Sequence, residues 1–293
     1  MILRKFILDT DWWTDCDDAV AICLLCKAHC KKEIELLGIN VNACMPFSIP
    51  ALDVFTREYG CGELPLGLDH SAVGFEGEPS YQEHLAQVRP VRRKNEDVPK
   101  GHEFYKELLS KAQDSSVELI SIGFTQVLAG LLKDPCAFEL LRRKVSHLWI
   151  MAGKWDEPRG LEYNFYKNEI TRRSAAELCA SWPTPVTFLG FEVGESVKSG
   201  GRLPDGELLK QVMTDHGSVT GRSSWDPMTV LLALAGDPEK AGYTCVYGHA
   251  SAEPETGCNS FVPDPSGPHR YVVKRYADSF YADAIDLRLA EEV

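Results

Sequence analysis

The feature that most constrains this chain lies between Phe6 and Val41, where two short apolar runs flank a helical stretch. Phe6-Ile7-Leu8 ends on carboxylates and reads as a buried strand. The apolar, partly β-branched run from Ile34 to Val41 reads as a second strand. Between them, residues 17 to 30 read as a helix. Asp17 and Asp18 stand in its first turn, where negative charge complements the helix dipole, and nearly continuous apolar residues follow. Strand, helix and strand in this order form a βαβ unit, with parallel strands and a right-handed crossover.

The alternation continues along the chain. Helices are expected over 51–59, 104–112, 127–132, 170–181 and 228–235, and strands over 64–68, 117–122, 145–151 and 186–189. From Tyr243 onward polar and apolar residues alternate, so antiparallel strands are expected there, with 270–274 and 284–289 as a final pair. Residues 69–103 are charged, proline-bearing and poorly periodic, and are expected as a variable loop or lid. The fold class expected is α/β: one domain over 1–293, a single open, mainly parallel sheet flanked by helices, with a few antiparallel strands near the C-terminus. Ligands of such sheets sit at the carboxyl ends of the strands.

Composition narrows the partners. Asp and Glu number 43 against 31 Lys and Arg, a net charge of −12, which argues against nucleic acid or an anionic membrane and favours a small ligand. The ten cysteines are scattered through apolar segments and make no disulfide scaffold. No signal-peptide apolar region precedes the first strand, and no apolar run approaches the ~18 residues of a membrane span. A cytoplasmic setting is expected.

Positions 9 to 18 read Asp-Thr-Asp-Trp-Trp-Thr-Asp-Cys-Asp-Asp, five carboxylates in ten residues. Their mutual repulsion raises their pKa values unless a positive charge is present, and the helix amino terminus offers only about half a charge. No Lys or Arg occurs between Lys5 and Lys27. A hard divalent cation held by oxygen ligands, Ca²⁺ or Mg²⁺, answers this. A solvated acidic loop with Asp17 or Asp18 capping the helix is the plainer alternative. A third is a Mg²⁺-dependent phosphatase with Asp9 as nucleophile and Asp11 as acid, although Trp12 and Trp13 are bulky for such a loop. An EF-hand does not fit, because the loop lacks its glycine and final Glu.

Here the sequence resembles the inosine–uridine-preferring nucleoside hydrolases, whose signature is strand, Asp-x-Asp, a short turn, and Asp-Asp-Ala opening a helix. The chain has Leu8-Asp9-Thr10-Asp11, a five-residue turn, then Asp17-Asp18-Ala19. Ile122-Gly123-Phe124-Thr125, Trp149-Ile150-Met151-Ala152-Gly153, Glu162-Tyr163-Asn164 and Ser224-Trp225-Asp226-Pro227 resemble later landmarks in the family's order, so the likeness spans residues 2 to about 240.

The resemblance implies calcium-dependent hydrolysis of the N-glycosidic bond of ribonucleosides, releasing base and ribose in nucleoside salvage. It implies a Ca²⁺ held by Asp11, Asp18, the carbonyl of Thr125 and Asp226, with Asp11 as the base that deprotonates a metal-bound water. Asp17, Glu162 and Asn164 would take ribose hydroxyls, with Asn42, Met151, Tyr163 and Trp225 in the substrate pocket. Asp9 would support from behind, and a homo-oligomer, dimer or tetramer, is implied. A catalytically silent riboside-binding relative is the other form such a chain takes. Asp226 before Pro227 also suits a helix N-cap. The pattern departs at Trp225, which stands where better-known relatives carry a histidine acid; His70, His84 and His102 are candidates to replace it. Asp15 falls in the lengthened turn with no implied role.

Overall fold

Computed as a structural model, the structure describes residues 3–292. Strands β1 (Arg4–Thr10), β2 (Ile34–Val41), β3 (Leu66–Leu68), β4 (Val117–Ser121), β5 (Val145–Met151) and β6 (Val186–Leu189) are the parallel body of one sheet. Two short strands, β7 (Lys198–Ser199) and β8 (Arg222–Ser223), pair apart from it. Strands β9 (Tyr243–Ala252), β10 (Asn259–Pro263) and β11 (His269–Lys274) complete the main sheet, whose order is β10-β9-β11-β6-β5-β4-β1-β2-β3. β11 runs parallel to β6 and antiparallel to β9, so the expected change of direction falls at the carboxyl-terminal end.

The chain starts at β1, builds outward through β2 and β3, then returns to the other side of β1 to lay down β4, β5 and β6. The connections diverge between β1 and β4, opening a crevice at their carboxyl ends. Both ends carry the residues singled out in the sequence: Asp9-Thr10-Asp11 after β1 and Ile122-Gly123 after β4.

Burial follows the period of each element. Phe6 and Leu8 enter one hydrophobic layer and Ile7, between them, enters the other. The helix Asp17–Cys30 is buried from Asp17 to Ala28, between the sheet and the helices Trp225–Ala235 and Asp278–Ala290. A helix enclosed on all sides is apolar on all sides, which is why its sequence lacks an amphipathic stripe.

Two expectations are corrected. Residues 284–289 belong to the helix Asp278–Ala290, not to a strand; Tyr281, Ile285 and Leu289 are buried at a spacing of four, the helical period. The segment 69–103 is not a simple lid. It contains the helix Gln82–Val88, and Tyr81, Gln82 and Leu85 are buried. The five-residue turn anchors it: Trp13 Nε1 donates to the Gly77 carbonyl at 3.0 Å, Tyr81 OH to the Asp15 carbonyl at 3.0 Å, and Gln82 Nε2 to that of Trp12. The long turn and the inserted segment pack as one unit. Among the described residues no helix is long and apolar enough to cross a membrane.

Candidate active site

Register places the first carboxylate. Asp9 lies level with Asn40 of β2 and Ser121 of β4, so its side chain is enclosed by neighbouring strands. Asn40 Nδ2 and Tyr105 OH donate to Oδ2 at 2.9 and 2.8 Å, and Asn42 Nδ2 donates to Oδ1. Burial pushes Asp9 up to about 7 against the pull of these three donors. Asp9 has both oxygens occupied and does not line the acidic cavity beside it.

Two residues on, the chain turns outward. Trp12 has φ 43°, a left-handed conformation that costs a bulky residue roughly 1–3 kcal/mol. Its N–H is held by Thr10 Oγ1 at 3.1 Å and Asp18 Oδ1 at 3.2 Å. This turn sends Trp12 into the core against Phe55 and Tyr81, and leaves Asp11 and Trp13 on the wall of a cavity of about 290 Å³. Gly123 permits the approach from β4, since a Cβ there would lie 2.4 Å from the Asp11 nitrogen.

Six carboxylates line this cavity: Asp11, Asp15, Asp17, Asp18, Glu162 and Asp226. Asp17, Asp18 and Asp226 bring oxygens within 4.8 Å of one another. Thr10 Oγ1 donates to Asp18 Oδ1, and the Asp226 N–H donates to Asp17 Oδ2 at 3.2 Å. Among the described residues no hydrogen bond reaches the Asp226 carboxylate. Burial, then the neighbouring carboxylates, pushes Asp17, Asp18 and Asp226 well above the usual range, and burial raises Asp11 to about 8. Four buried acidic groups, pushed up by burial and by one another and all offering oxygen, fit a hard divalent cation. Asp17 stands inside this convergence rather than beside it.

Glu162 and Asn164 form the opposite wall after β5. Glu162 caps a short helix, accepting the Asn164 N–H at 2.7 Å through Oε1 and the Gly153 N–H at 3.0 Å through Oε2. Burial raises it to about 7. Asn164 Nδ2 donates to the Met151 carbonyl at 3.1 Å, fixing its amide. Tyr163 lies half-exposed at the rim, stacked on Trp13 at 6.3 Å, while Trp225 stacks on Phe191 at 5.3 Å and donates to the Phe191 carbonyl. Gly194 makes room for Trp225, because a Cβ there would lie 2.5 Å from its ring.

Some expected residues stand elsewhere. Asn42 lies behind Asp9, donating to it and accepting the Phe124 N–H at 3.1 Å, and does not line the cavity. The Thr125 carbonyl accepts the Ala129 N–H at 2.9 Å to open a helix; the residue of that loop on the cavity wall is Ile122. Neither position could be told from its neighbours by spacing alone. None of His70, His84 and His102 lines the cavity; His84, for one, pairs with Asp215. Sequence reasoning also passed over Arg222, on the two-residue strand β8. It grips Asp15 through Nε at 2.9 Å and Nη2 at 2.6 Å. A strand that short has no periodicity to mark it, and 207 positions separate the partners.

No family model matches the chain, and no curated protein is similar to it in sequence. Solved structures are similar in fold. The plant nucleoside hydrolase PpNRh1 superposes with a TM-score of 0.76 at 16% identity, over 99% of this chain and 100% of that one. The type III effector protein XopQ, in complex with adenosine diphosphate ribose, gives 0.67 at 14% identity over 99% and 94%. The effector protein XOO4466 gives 0.66 at 14% over 99% and 93%. The chain thus has the nucleoside hydrolase-like fold, with a buried acidic cluster able to bind a metal ion at the carboxyl ends of its strands.

Proposed function

We propose that this chain hydrolyses the N-glycosidic bond of ribonucleosides in a site loaded with Ca²⁺. The observation that carries this is the convergence of Asp17, Asp18 and Asp226 beside Asp11, facing Glu162 and Asn164 across one cavity at the β1–β4 crevice. Asp11, Asp18 and Asp226 would hold the cation with Asp17, and a backbone oxygen from the β4 loop would come from Ile122. When bound, Ca²⁺ anchors vicinal hydroxyls and lowers the pKa of water it touches.

The remaining steps belong to the protein. Glu162 and Asn164, each fixed by backbone partners, orient the ribose hydroxyls. Asp11, on the cavity wall beside the cation ligands, takes a proton from the attacking water. The carboxylates around the ring stabilise positive charge developing at the anomeric carbon. Water oxygen bonds to that carbon, the carbon–nitrogen bond breaks, and its electron pair leaves with the base.

The phosphatase alternative is disfavoured because Asp9, its nucleophile, has both oxygens hydrogen-bonded behind the cavity. The XopQ complex with adenosine diphosphate ribose favours a second reading, riboside binding without turnover. A panel of ribonucleosides assayed with Ca²⁺ for released reducing sugar separates them. Turnover of at least one is expected, with Asp11→Ala lowering kcat by on the order of 10³-fold. Cleavage of p-nitrophenyl phosphate alone would restore the phosphatase, and ribose binding without turnover would support the binder.

A further inference from the structure

We propose that Arg222 forms the subsite for the departing nucleobase and stabilises it as a fixed hydrogen-bond donor rather than as a proton donor; this rests on the riboside reading above. Among the described residues lining the cavity, Arg222 is the one cation. Asp15 occupies its Nε and Nη2 in a fork, leaving Nη1 with no partner among the described residues. The side chain remains one-third exposed. The guanidinium carbon lies 5.3 Å from the centre of the Trp225 ring, itself stacked on Phe191 and tied to the Phe191 carbonyl. Fork and ring hold the group from two sides, so its free N–H bonds keep one orientation.

The ligand class follows from charge. Asp15 cancels the charge of Arg222, and the five other carboxylates of the cavity repel a phosphate. What Arg222 has left to offer a ligand in the cavity is the N–H pair of Nη1, suited to a neutral acceptor, a carbonyl oxygen or ring nitrogen of a base. As the glycosidic bond breaks, its electron pair moves onto the base and those acceptors gain negative charge, so the bond to Nη1 strengthens toward the transition state. Guanidinium keeps its proton throughout; the proton that neutralises the base comes from solvent, and the one lost by the attacking water rests on Asp11. Arg222 thereby does the work that a histidine at the Trp225 position would otherwise do.

The test compares the Ca²⁺-loaded wild type with Arg222→Met and Arg222→Lys, using inosine and p-nitrophenyl riboside as substrates and calorimetric titration of inosine and ribose. A nitrophenolate leaves as a stable anion and needs no donor. For Arg222→Met, kcat/KM for inosine should fall on the order of 100-fold, and that for p-nitrophenyl riboside by about 3-fold or less. Inosine affinity should fall about 10-fold with ribose affinity unchanged, which also reports an intact fold, and Lys should restore part of the loss. Equal losses on both substrates and on ribose would reduce Arg222 to a brace for the Asp15 turn and overturn the proposal. Unchanged inosine kinetics and affinity would overturn it too. If the wild type cleaves no riboside, the hydrolase reading falls, and the titrations alone decide: selective loss of inosine affinity supports the subsite, and its absence overturns it. Binding of neither ligand by the wild type overturns both.

Discussion

Asp9 and the Asp17–Asp18–Asp226 cluster are both buried, both at the end of β1, and opposite in what surrounds them. Asp9 receives three side-chain donors on its two oxygens. In the cluster, Asp17 receives one backbone N–H, Asp226 none among the described residues, and Asp18 has both of its donors on a single oxygen. Burial raises the carboxyl groups in both places, so burial does not mark a metal site. What marks it is buried anionic capacity that the protein leaves unanswered. One carboxylate is finished by the fold; the other three are left able to take a bound cation.

The sharpest way to break this contrast is to remove one member of the cluster. With Ca²⁺ at about 100 times its dissociation constant, binding to the folded state alone adds ~2.7 kcal/mol, which for a domain of this size is about 4 °C in Tm. Calorimetry with and without Ca²⁺ should show that gain for the wild type and none for Asp226→Ala. In the cation-free protein, the same substitution should leave stability unchanged or raise it, because it removes a buried carboxylate and its repulsion with Asp17, Asp18 and Asp11. A Ca²⁺-dependent gain that survives Asp226→Ala would show that the cluster is not where the ion binds.

How much of this contrast could be read from sequence depends on the range of each interaction. The βαβ unit of β1, the helix Asp17–Cys30 and β2 was legible, because its signal is local periodicity. With it came the outward position of Asp11, Asp17 and Asp18 at a strand end. From its own neighbours Asp226 was legible only as a helix start; its meeting with Asp18, two hundred positions earlier, was implied by the family resemblance and not by any local pattern. Asn42 was expected in the substrate pocket and stands behind Asp9 instead, because sequence shows that an amide lies near the strand end and not which way it faces. Arg222 was invisible for a different reason: the apparent lack of cations near the acidic stretch was a statement about neighbours in the chain, not in space. The helix Asp278–Ala290 was misread in part because alternation over six residues fits two periods.

A smaller effect is expected at Asp9. Asp9→Asn keeps the shape but turns an –NH₂ toward groups that already donate, so at least one of Asn40, Asn42 and Tyr105 loses its acceptor. The cost is about 1–3 kcal/mol of stability in the cation-free protein. Because Thr10 and Asp11 follow directly, Ca²⁺ affinity should fall by ~10–100-fold, the usual loss when a group supporting a ligand is changed. Isothermal titration should therefore find binding weakened but present, unlike Asp226→Ala. Complete loss of binding would place Asp9 among the ligands and erase the distinction between the two environments.

The smallest effect isolates one donor. Tyr105 OH shares Asp9 Oδ2 with Asn40 and lies in the helix Gly101–Lys111, outside the cavity. Tyr105→Phe removes the hydroxyl and keeps the ring, which packs at 87° to Phe104. Asp9 retains Asn40 and Asn42, so no carboxylate oxygen is orphaned, and the expected loss is about 1 kcal/mol in denaturant unfolding, with Ca²⁺ affinity changed by less than ~3-fold. The value of so mild a variant lies in the ratio. If the Asp9 environment acts on the cluster only by holding the β1 end in place, stability falls and ion affinity does not. Were affinity to fall by more than ~10-fold for that 1 kcal/mol, the two carboxylate environments would be coupled through the ion, and the β1 end would have to be treated as one site.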